Sequence, residues 1–166
     1  MGESGTGDDA RWLSDEEGAA WRSLMSSAMW LPPALDQQLQ ADAGMSHFEY
    51  GVLAALSERD DRTMRLRELA RWANSTLSRL SKVVDRLTGQ GWVERRPDPD
   101  DGRSTLATLT DAGFAKVVAT APGHVAHVRA LVFDHLTRAE VKQLGAIAAK
   151  IARSVGPDGA CSGKLG

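Results

Sequence analysis

Residues 66–113 read LRELARWANSTLSRLSKVVDRLTGQGWVERRPDPDDGRSTLATLTDAG, and they decide the fold of this chain. Apolar residues recur at helical spacing from Leu66 to Trp72 and again from Ser75 to Thr88. Between these two segments lies Ala73-Asn74, which is interpreted as a tight turn. Gly89 follows the second segment as a helix-ending residue. The pattern therefore predicts a short helix, a turn and a longer helix.

After the second helix the hydrophobic period changes from that of a helix to that of a strand. Trp92 to Arg96 predicts a short strand, and residues 97–102 have the composition of a turn. Ser104 to Leu109 alternates polar and apolar residues, as a returning strand does. Two helices followed by a β-hairpin predict a winged helix-turn-helix over about residues 46–110. The fold class is mainly α with a small β-wing.

The predicted helix from Ser75 is strongly two-sided when its residues are placed at about 100° intervals. One side carries Leu77, Leu80, Val84 and Leu87. The other side carries only hydrogen-bond donors, namely Ser75, Ser78, Arg79, Lys82 and Arg86. Such a face suits a helix that lies in the major groove of DNA, where Arg and Lys reach guanine edges or phosphates. The alternative is the solvated face of an ordinary surface helix.

The distribution of charge supports a nucleic-acid partner, although the net charge of the chain is −2. Residues 62–103 contain ten lysines and arginines against six acidic residues, whereas the rest of the chain contains ten against sixteen. A cationic segment in an acidic protein confines phosphate binding to one region. Chance clustering of charge is the alternative that composition leaves open.

Arginines flank the predicted loop of the hairpin. An arginine in the narrow minor groove gains from the negative potential there. Asp98, Asp100 and Asp101 would be repelled by phosphate, so they are interpreted as residues that shape the loop or pair with arginine. Asp101 and Arg103 are the expected pair across the turn. The predicted DNA-binding residues are Ser75, Thr76, Ser78, Arg79, Lys82, Arg86, Arg95, Arg96, Arg103 and Ser104.

This order of motifs resembles the multiple antibiotic resistance regulator (MarR) family, over roughly residues 12–155. The matching segments are Leu69-Ala70, Ser75 to Leu87, Gly91 to Arg95, Asp101-Gly102-Arg103 and Leu109 to Gly113. Many members carry two arginines after the wing aspartate, and here Gly102 takes the first of those positions. The resemblance implies a homodimer that binds a pseudo-palindrome in double-stranded DNA, usually as a repressor. It also implies release by a small, often aromatic, ligand.

The flanking segments are predicted to be dimerisation helices, at about residues 14–41 and 111–155. Pro32-Pro33 is expected to break or kink the first region, and Pro122-Gly123 the second. Their broad apolar faces exceed what a 45-residue winged domain needs. The alternative is that they only cover their own subunit. Residues 1–11 are predicted to be a disordered arm and 156–166 a flexible tail.

Trp30, His47 and Tyr50 are candidates for lining an effector pocket, because the resemblance places such a pocket between the dimerisation helices and the winged lobe. Ordinary packing between helices is the alternative for each residue. His124, His127 and His135 are interpreted as solvated side chains on an exposed helix, so no metal is expected. No cofactor is expected either.

Other function classes find little support in the sequence. Charges interrupt every apolar run that could cross a bilayer, and the first residues lack an apolar signal core. The lone Cys161 fits a reducing cytoplasm, which is the predicted location. No motif of an enzyme active site is present, so a non-enzyme is predicted. A winged-helix module for protein contacts, without sequence-specific DNA binding, remains the alternative function.

Overall fold

The computed structural model describes residues 11–155, which are mostly helical with one small sheet. The predicted tail and Cys161, together with all of the predicted arm except Arg11, lie outside the described residues. Two further elements were not predicted, a strand at Thr63–Arg65 and a 3-10 turn at Phe133–His135. The elements in chain order are α1 (Asp15–Ala43), α2 (His47–Ser57), β1 (Thr63–Arg65), α3 (Leu66–Trp72), α4 (Leu77–Gly89), β2 (Val93–Pro97), β3 (Thr105–Leu109), α5 (Asp111–Leu131) and α6 (Arg138–Val155).

Hydroxyl side chains cap five of these helices. Ser14 and Ser46 each form a capping box, in which the serine oxygen accepts a backbone N–H and a glutamate returns the bond. Thr110 caps α5 by accepting a hydrogen bond from the backbone N–H of Gly113 at 3.0 Å. These caps satisfy N–H groups that have no partner inside the helix.

The sheet is antiparallel, with strand order β1-β3-β2. Strand β3 therefore pairs on both edges, and Ala107 lies opposite Met64 on one side and Arg95 on the other. The predicted hairpin of two strands is confirmed, but the third strand was missed. Three residues are too few to show a period of two, and β1 exists because it pairs with β3.

The core of the winged lobe lies between α2, α3, α4 and the sheet. Leu80, Val84 and Leu87 are completely buried, which confirms three of the four residues predicted for the apolar side of α4. Leu77, the fourth, is 43% exposed because it lies in the first turn, beyond the edge of the core. One face of α4 is therefore buried in the lobe, and the opposite face is exposed to solvent.

The predicted breaks at the prolines are wrong, and a kink at these positions stays a prediction. Helix α1 continues through Pro32 and Pro33, and α5 continues through Pro122. Each proline removes a single backbone hydrogen bond, and the remaining bonds of the helix are sufficient to keep it intact. Leu35 and Leu39 of α1 are buried immediately after the two prolines. These residues hold the second half of α1 against the rest of the fold.

The two flanking regions leave large apolar side chains in solvent. Helix α6 has no buried residue, although its charged and apolar residues are well segregated. The exposed set from the segment before α1, the first half of α1, the end of α5 and α6 includes Trp12, Trp21, Met29, Leu131, Leu144, Ile147 and Ile151. One chain on its own therefore leaves an extended apolar surface on the side that the flanking helices form.

Across residues 11–155, none of the helices combines the length and the apolar character that crossing a bilayer requires.

Candidate nucleic-acid interface

The amino end of α4, the second helix of the helix-turn-helix, is set by the turn before it. Asn74 has a positive φ of 47°, a conformation that asparagine tolerates better than most residues. The backbone N–H of Ser75 then donates to the carbonyl oxygen of Ala70 at 2.9 Å. Thr76 is the cap, and its hydroxyl accepts the backbone N–H of Arg79 at 3.2 Å. The prediction that the helix begins at Ser75 is therefore wrong by two residues.

The outward face of α4 carries Ser78, Arg79 and Lys82, which are all exposed. The guanidinium carbon of Arg79 lies 4.6 Å from the centre of the Phe48 ring on α2. This cation–π contact restrains the arginine. The face can donate hydrogen bonds to base edges or phosphates without first breaking an ion pair at these positions.

Two of the other predicted DNA-binding arginines have carboxylate partners within the fold. The Nε atom of Arg86 lies 2.5 Å from Oε1 of Glu49. Arg95 on β2 pairs with Asp85 of α4, and its Nη1 atom donates to the Ser81 hydroxyl at 3.3 Å. Helical spacing cannot reveal these pairs, because each partner belongs to a different element. Arg95 thereby connects the wing to the helix beside it.

Asp98 organises the wing loop. Its side chain is 3% exposed, and its Oδ2 atom accepts a 2.6 Å hydrogen bond from Nε of Arg65. The backbone N–H of Asp100 also donates to Asp98, at 3.0 Å. The pKa of the Asp98 carboxyl is lowered, first by the Asp100 N–H and then by Arg65. The residue that pairs with arginine in this loop is therefore Asp98.

The expected side-chain pair of Asp101 with Arg103 is not among the ion pairs of the described residues. Asp101 instead accepts the backbone N–H of Arg103 at 3.1 Å and the hydroxyl of Ser104 at 2.7 Å. The Ser104 hydroxyl is the main cause of the lowered pKa of Asp101. Both oxygens of Asp101 accept hydrogen bonds within the turn, and neither of these bonds comes from the Arg103 side chain.

A groove of about 180 Å³ separates the first turn of α4 from the wing. Leu77 and Ser81 line its helix side, and Thr105 lines its strand side. The groove is also lined by four arginines, each from a different segment of the chain, namely Arg65, Arg67, Arg95 and Arg103. A concave surface with this charge attracts phosphate groups. The sequence showed the cationic segment but not that Arg65 and Arg67 face the wing.

The candidate effector residues are only partly brought together. His47 and Tyr50 of α2 lie beside His124 of α5, with ring centres 5.7 Å and 4.7 Å away. His124 is buried, and its Nδ1 atom is 3.1 Å from Oε1 of Gln38. The ring contacts of this cluster do not include Trp30, which is 72% exposed on α1.

Sequence reasoning placed His124 on an exposed helix, and that interpretation is wrong because α5 packs against α1 and α2. Burial lowers the pKa of His124, and the neighbouring His47 and His127 lower it further. Burial also lowers the pKa of His47, against the opposing effect of Asp36. Within residues 11–155, no three His, Cys, Asp or Glu side chains are grouped closely enough to hold a metal ion.

Comparisons with known proteins agree with this architecture. The model of the MarR family matches residues 43–104. The chain is 47% identical to Sco3205 of Streptomyces coelicolor, a MarR family transcriptional regulator solved in complex with DNA. That match covers 93% of this chain and 96% of Sco3205, with a TM-score of 0.86. AbsC, a MarR family transcriptional regulator of the same organism, is 33% identical over 87% of this chain and 97% of its own, with a TM-score of 0.81.

A curated relative, the HTH-type transcriptional repressor YetL of Bacillus subtilis, is 29% identical over 108 residues. The match spans 63% of this chain and 65% of YetL, slightly less than two thirds of that relative. Identity to Sco3205 over nearly the whole of both chains, with the same fold, decides the assignment. The chain belongs to the MarR family of DNA-binding transcriptional regulators.

Proposed function

We propose that this chain is a homodimeric repressor that binds a pseudo-palindromic operator in double-stranded DNA. The observation that carries the proposal is the two-sided α4. Its apolar face is buried in the lobe, whereas Ser78, Arg79 and Lys82 are presented outward beside an arginine-lined groove. The DNA complex of the relative Sco3205 supports a role of this kind.

In the proposed complex, α4 enters the major groove with its amino-terminal half closest to the bases. Arg79 contacts a base edge, and Lys82 contacts a base or a phosphate. Ser75 and Thr76 precede the first turn of α4, where their hydroxyl groups can reach the DNA backbone. The wing follows the backbone into the adjacent minor groove with Arg96, Arg103 and Ser104. Arg86 and Arg95, which have carboxylate partners, are assigned to phosphate contacts.

The flanking helices support the homodimer. Leu144, Ile147 and Ile151 form an exposed apolar row on α6, and Trp21 and Met29 are exposed on α1. A helix that buries nothing in its own chain gains stability when an identical helix covers its apolar face. A two-fold dimer presents two α4 helices to half-sites about one helical turn of DNA apart.

Release by a small aromatic ligand is proposed at the cluster of His47, Tyr50 and His124. The cluster lies where α2 of the winged lobe meets α5 of the flanking region, so a ligand there acts on the angle between the two. Trp30 on α1 is a further candidate wall. Burial raises the pKa of the Tyr50 phenol, which therefore stays protonated and able to donate a hydrogen bond.

A mobility-shift assay tests the proposed function. The probe is the intergenic DNA beside the protein's own gene, and an unrelated duplex of equal length is the control. We expect preferential binding to the intergenic DNA. For each tenfold rise in salt concentration, the logarithm of the association constant should fall by about 0.9 per phosphate contact. A panel of aromatic acids and antibiotics is then added to search for release. Equal affinity for both duplexes, or no dependence on salt, would contradict the proposal.

Substitution of Arg79 tests the contact with bases. Arg79→Ala is expected to cost about 1–3 kcal/mol of specific binding and to relax the base preference at one position of each half-site. The measurement is titration against operators randomised at single positions. Arg129→Ala, which removes an exposed arginine from α5, is the matched control and should change neither affinity nor preference. An Arg79→Ala protein with unchanged preference would place Arg79 on phosphate or outside the interface.

A further inference from the structure

Glu49 is a buried carboxylate with unusually many partners. Its side chain is 3% exposed, and its Oε2 atom accepts hydrogen bonds from the backbone N–H and the hydroxyl of Ser46, at 2.7 Å and 2.8 Å. These bonds complete the capping box of α2, and they need only one carboxylate oxygen. The second oxygen, Oε1, lies 2.5 Å from Nε of Arg86 on α4. A single side chain therefore connects the start of α2 to the last turn of α4.

The ion pair with Glu49 restrains the Arg86 guanidinium. Glu49 contacts the Nε edge, and the Arg86 side chain remains 57% exposed. A guanidinium has five N–H donors in one plane, so an ion pair at Nε leaves the fork of Nη groups available. A fork of this kind matches two oxygens of a phosphate group. Arg86 lies in the last turn of α4, whereas the amino-terminal residues of such a helix approach the bases.

We propose that Glu49 is a positioning residue for DNA binding, which aims the guanidinium of Arg86 at a backbone phosphate of the operator. The inference rests on the proposed function, because it assumes that α4 binds DNA. Glu49 itself is buried and does not reach the nucleic acid. It acts only through Arg86.

The same segment is also held by α1. The backbone N–H of His47, next to Ser46, donates to Oδ1 of Asp36 at 2.8 Å. The start of α2 is therefore bonded to α1 on one side and, through Glu49, to α4 on the other. In the proposed dimer, α1 belongs to the shared framework of the two subunits. The position of Arg86 therefore depends on contacts with the dimer framework as well as on its own helix.

Glu49→Gln separates positioning from simple electrostatics, because the two explanations predict opposite changes in operator affinity. Removing a negative charge from a DNA-binding lobe strengthens phosphate attraction, so electrostatics alone predicts tighter binding. Gln keeps an oxygen for the Ser46 N–H but turns its amide donors towards Nε of Arg86. If Glu49 positions Arg86, operator affinity falls by about three- to tenfold. The control is Glu94→Gln, which removes the same charge from an exposed position on β2. It should leave operator affinity unchanged or slightly increased.

Two further variants show whether the effect passes through Arg86. Arg86→Lys keeps the charge and leaves the capping box of α2 untouched, but it lacks the planar fork, and it should lose about as much affinity as Glu49→Gln. Arg86→Ala should reduce the slope of affinity against salt by about one phosphate. Adding Glu49→Gln to Arg86→Ala should cost nothing more. A thermal melt of each variant establishes whether it is folded. If Glu49→Gln does not fold, the operator affinity of Arg86→Lys tests the inference.

A folded Glu49→Gln protein that binds its operator as tightly as the original, or more tightly, overturns the inference. A further loss in the double variant beyond Arg86→Ala also overturns it, since Glu49 would then act by another route. Both results leave the proposed function intact. An original protein without salt-dependent operator binding defeats the proposed function instead, so the two failures are distinguishable.

Discussion

Gly113→Ala is expected to destabilise the winged lobe by about 3 kcal/mol, because overpacking of a site that cannot relax lies at the upper end of such costs. Gly113 is buried in the first turn of α5, next to the base of the wing. A Cβ atom there would collide with the carbonyl oxygen of Trp92 and lie 2.7 Å from Cδ1 of Leu109. The Trp92 carbonyl accepts the backbone N–H of Thr110 at 3.0 Å, so it cannot move without losing that bond.

The measurement is chemical denaturation monitored by tryptophan fluorescence, for which Trp92 is itself a local probe. Gly89→Ala is the matched control, because a Cβ at Gly89, the last residue of α4, meets nothing within 4 Å. That control should change stability by less than about 1 kcal/mol. Equal stability of the two variants would show that the close approach of α5 to the wing base relaxes freely.

Ile147→Glu is expected to convert the proposed dimer to monomers and to lower operator affinity by about a hundredfold or more, since two linked half-site contacts become independent. Ile147 is 56% exposed in one chain, and it belongs to the apolar row of α6 with Leu144 and Ile151. Two glutamates brought together at a two-fold interface would be desolvated without cationic partners. Sedimentation velocity measures the assembly state, and mobility shift measures the affinity.

Lys142→Gln on the opposite side of α6 changes the charge of that helix by the same single unit. It should preserve both the dimer and operator binding. Persistence of the dimer in the Ile147→Glu protein would show that the apolar row of α6 lies outside the subunit contact.

Local patterns in the sequence were sufficient to predict most of the helices. The burial of Leu80, Val84 and Leu87 follows directly from their helical period. These features depend on neighbours within one or two turns. The same reasoning predicts the wing hairpin, whose two strands are adjacent in the chain.

Features that depend on distant residues were not predictable in this way. The three residues of β1 become a strand only because β3 lies beside them. Asp98 pairs with Arg65, 33 positions earlier, and not with the neighbouring Arg103. The partner of Arg86 belongs to α2, so a helical wheel of α4 shows a free cation where the fold has an ion pair. Burial of His124 likewise depends on the packing of α5 against α1 and α2.

The two prolines inside α1 give this regulator a built-in mechanical compliance. Pro32 and Pro33 have no N–H, so the carbonyl groups of Ala28 and Met29 have no donor one turn later in the helix. Bending at that point breaks fewer hydrogen bonds than bending elsewhere along the 29 residues of α1. The point separates the exposed first half of the helix from Leu35 and Leu39, which are anchored in the fold. Elastic deformation of α1 is therefore concentrated where its solvent-exposed first half joins its buried second half.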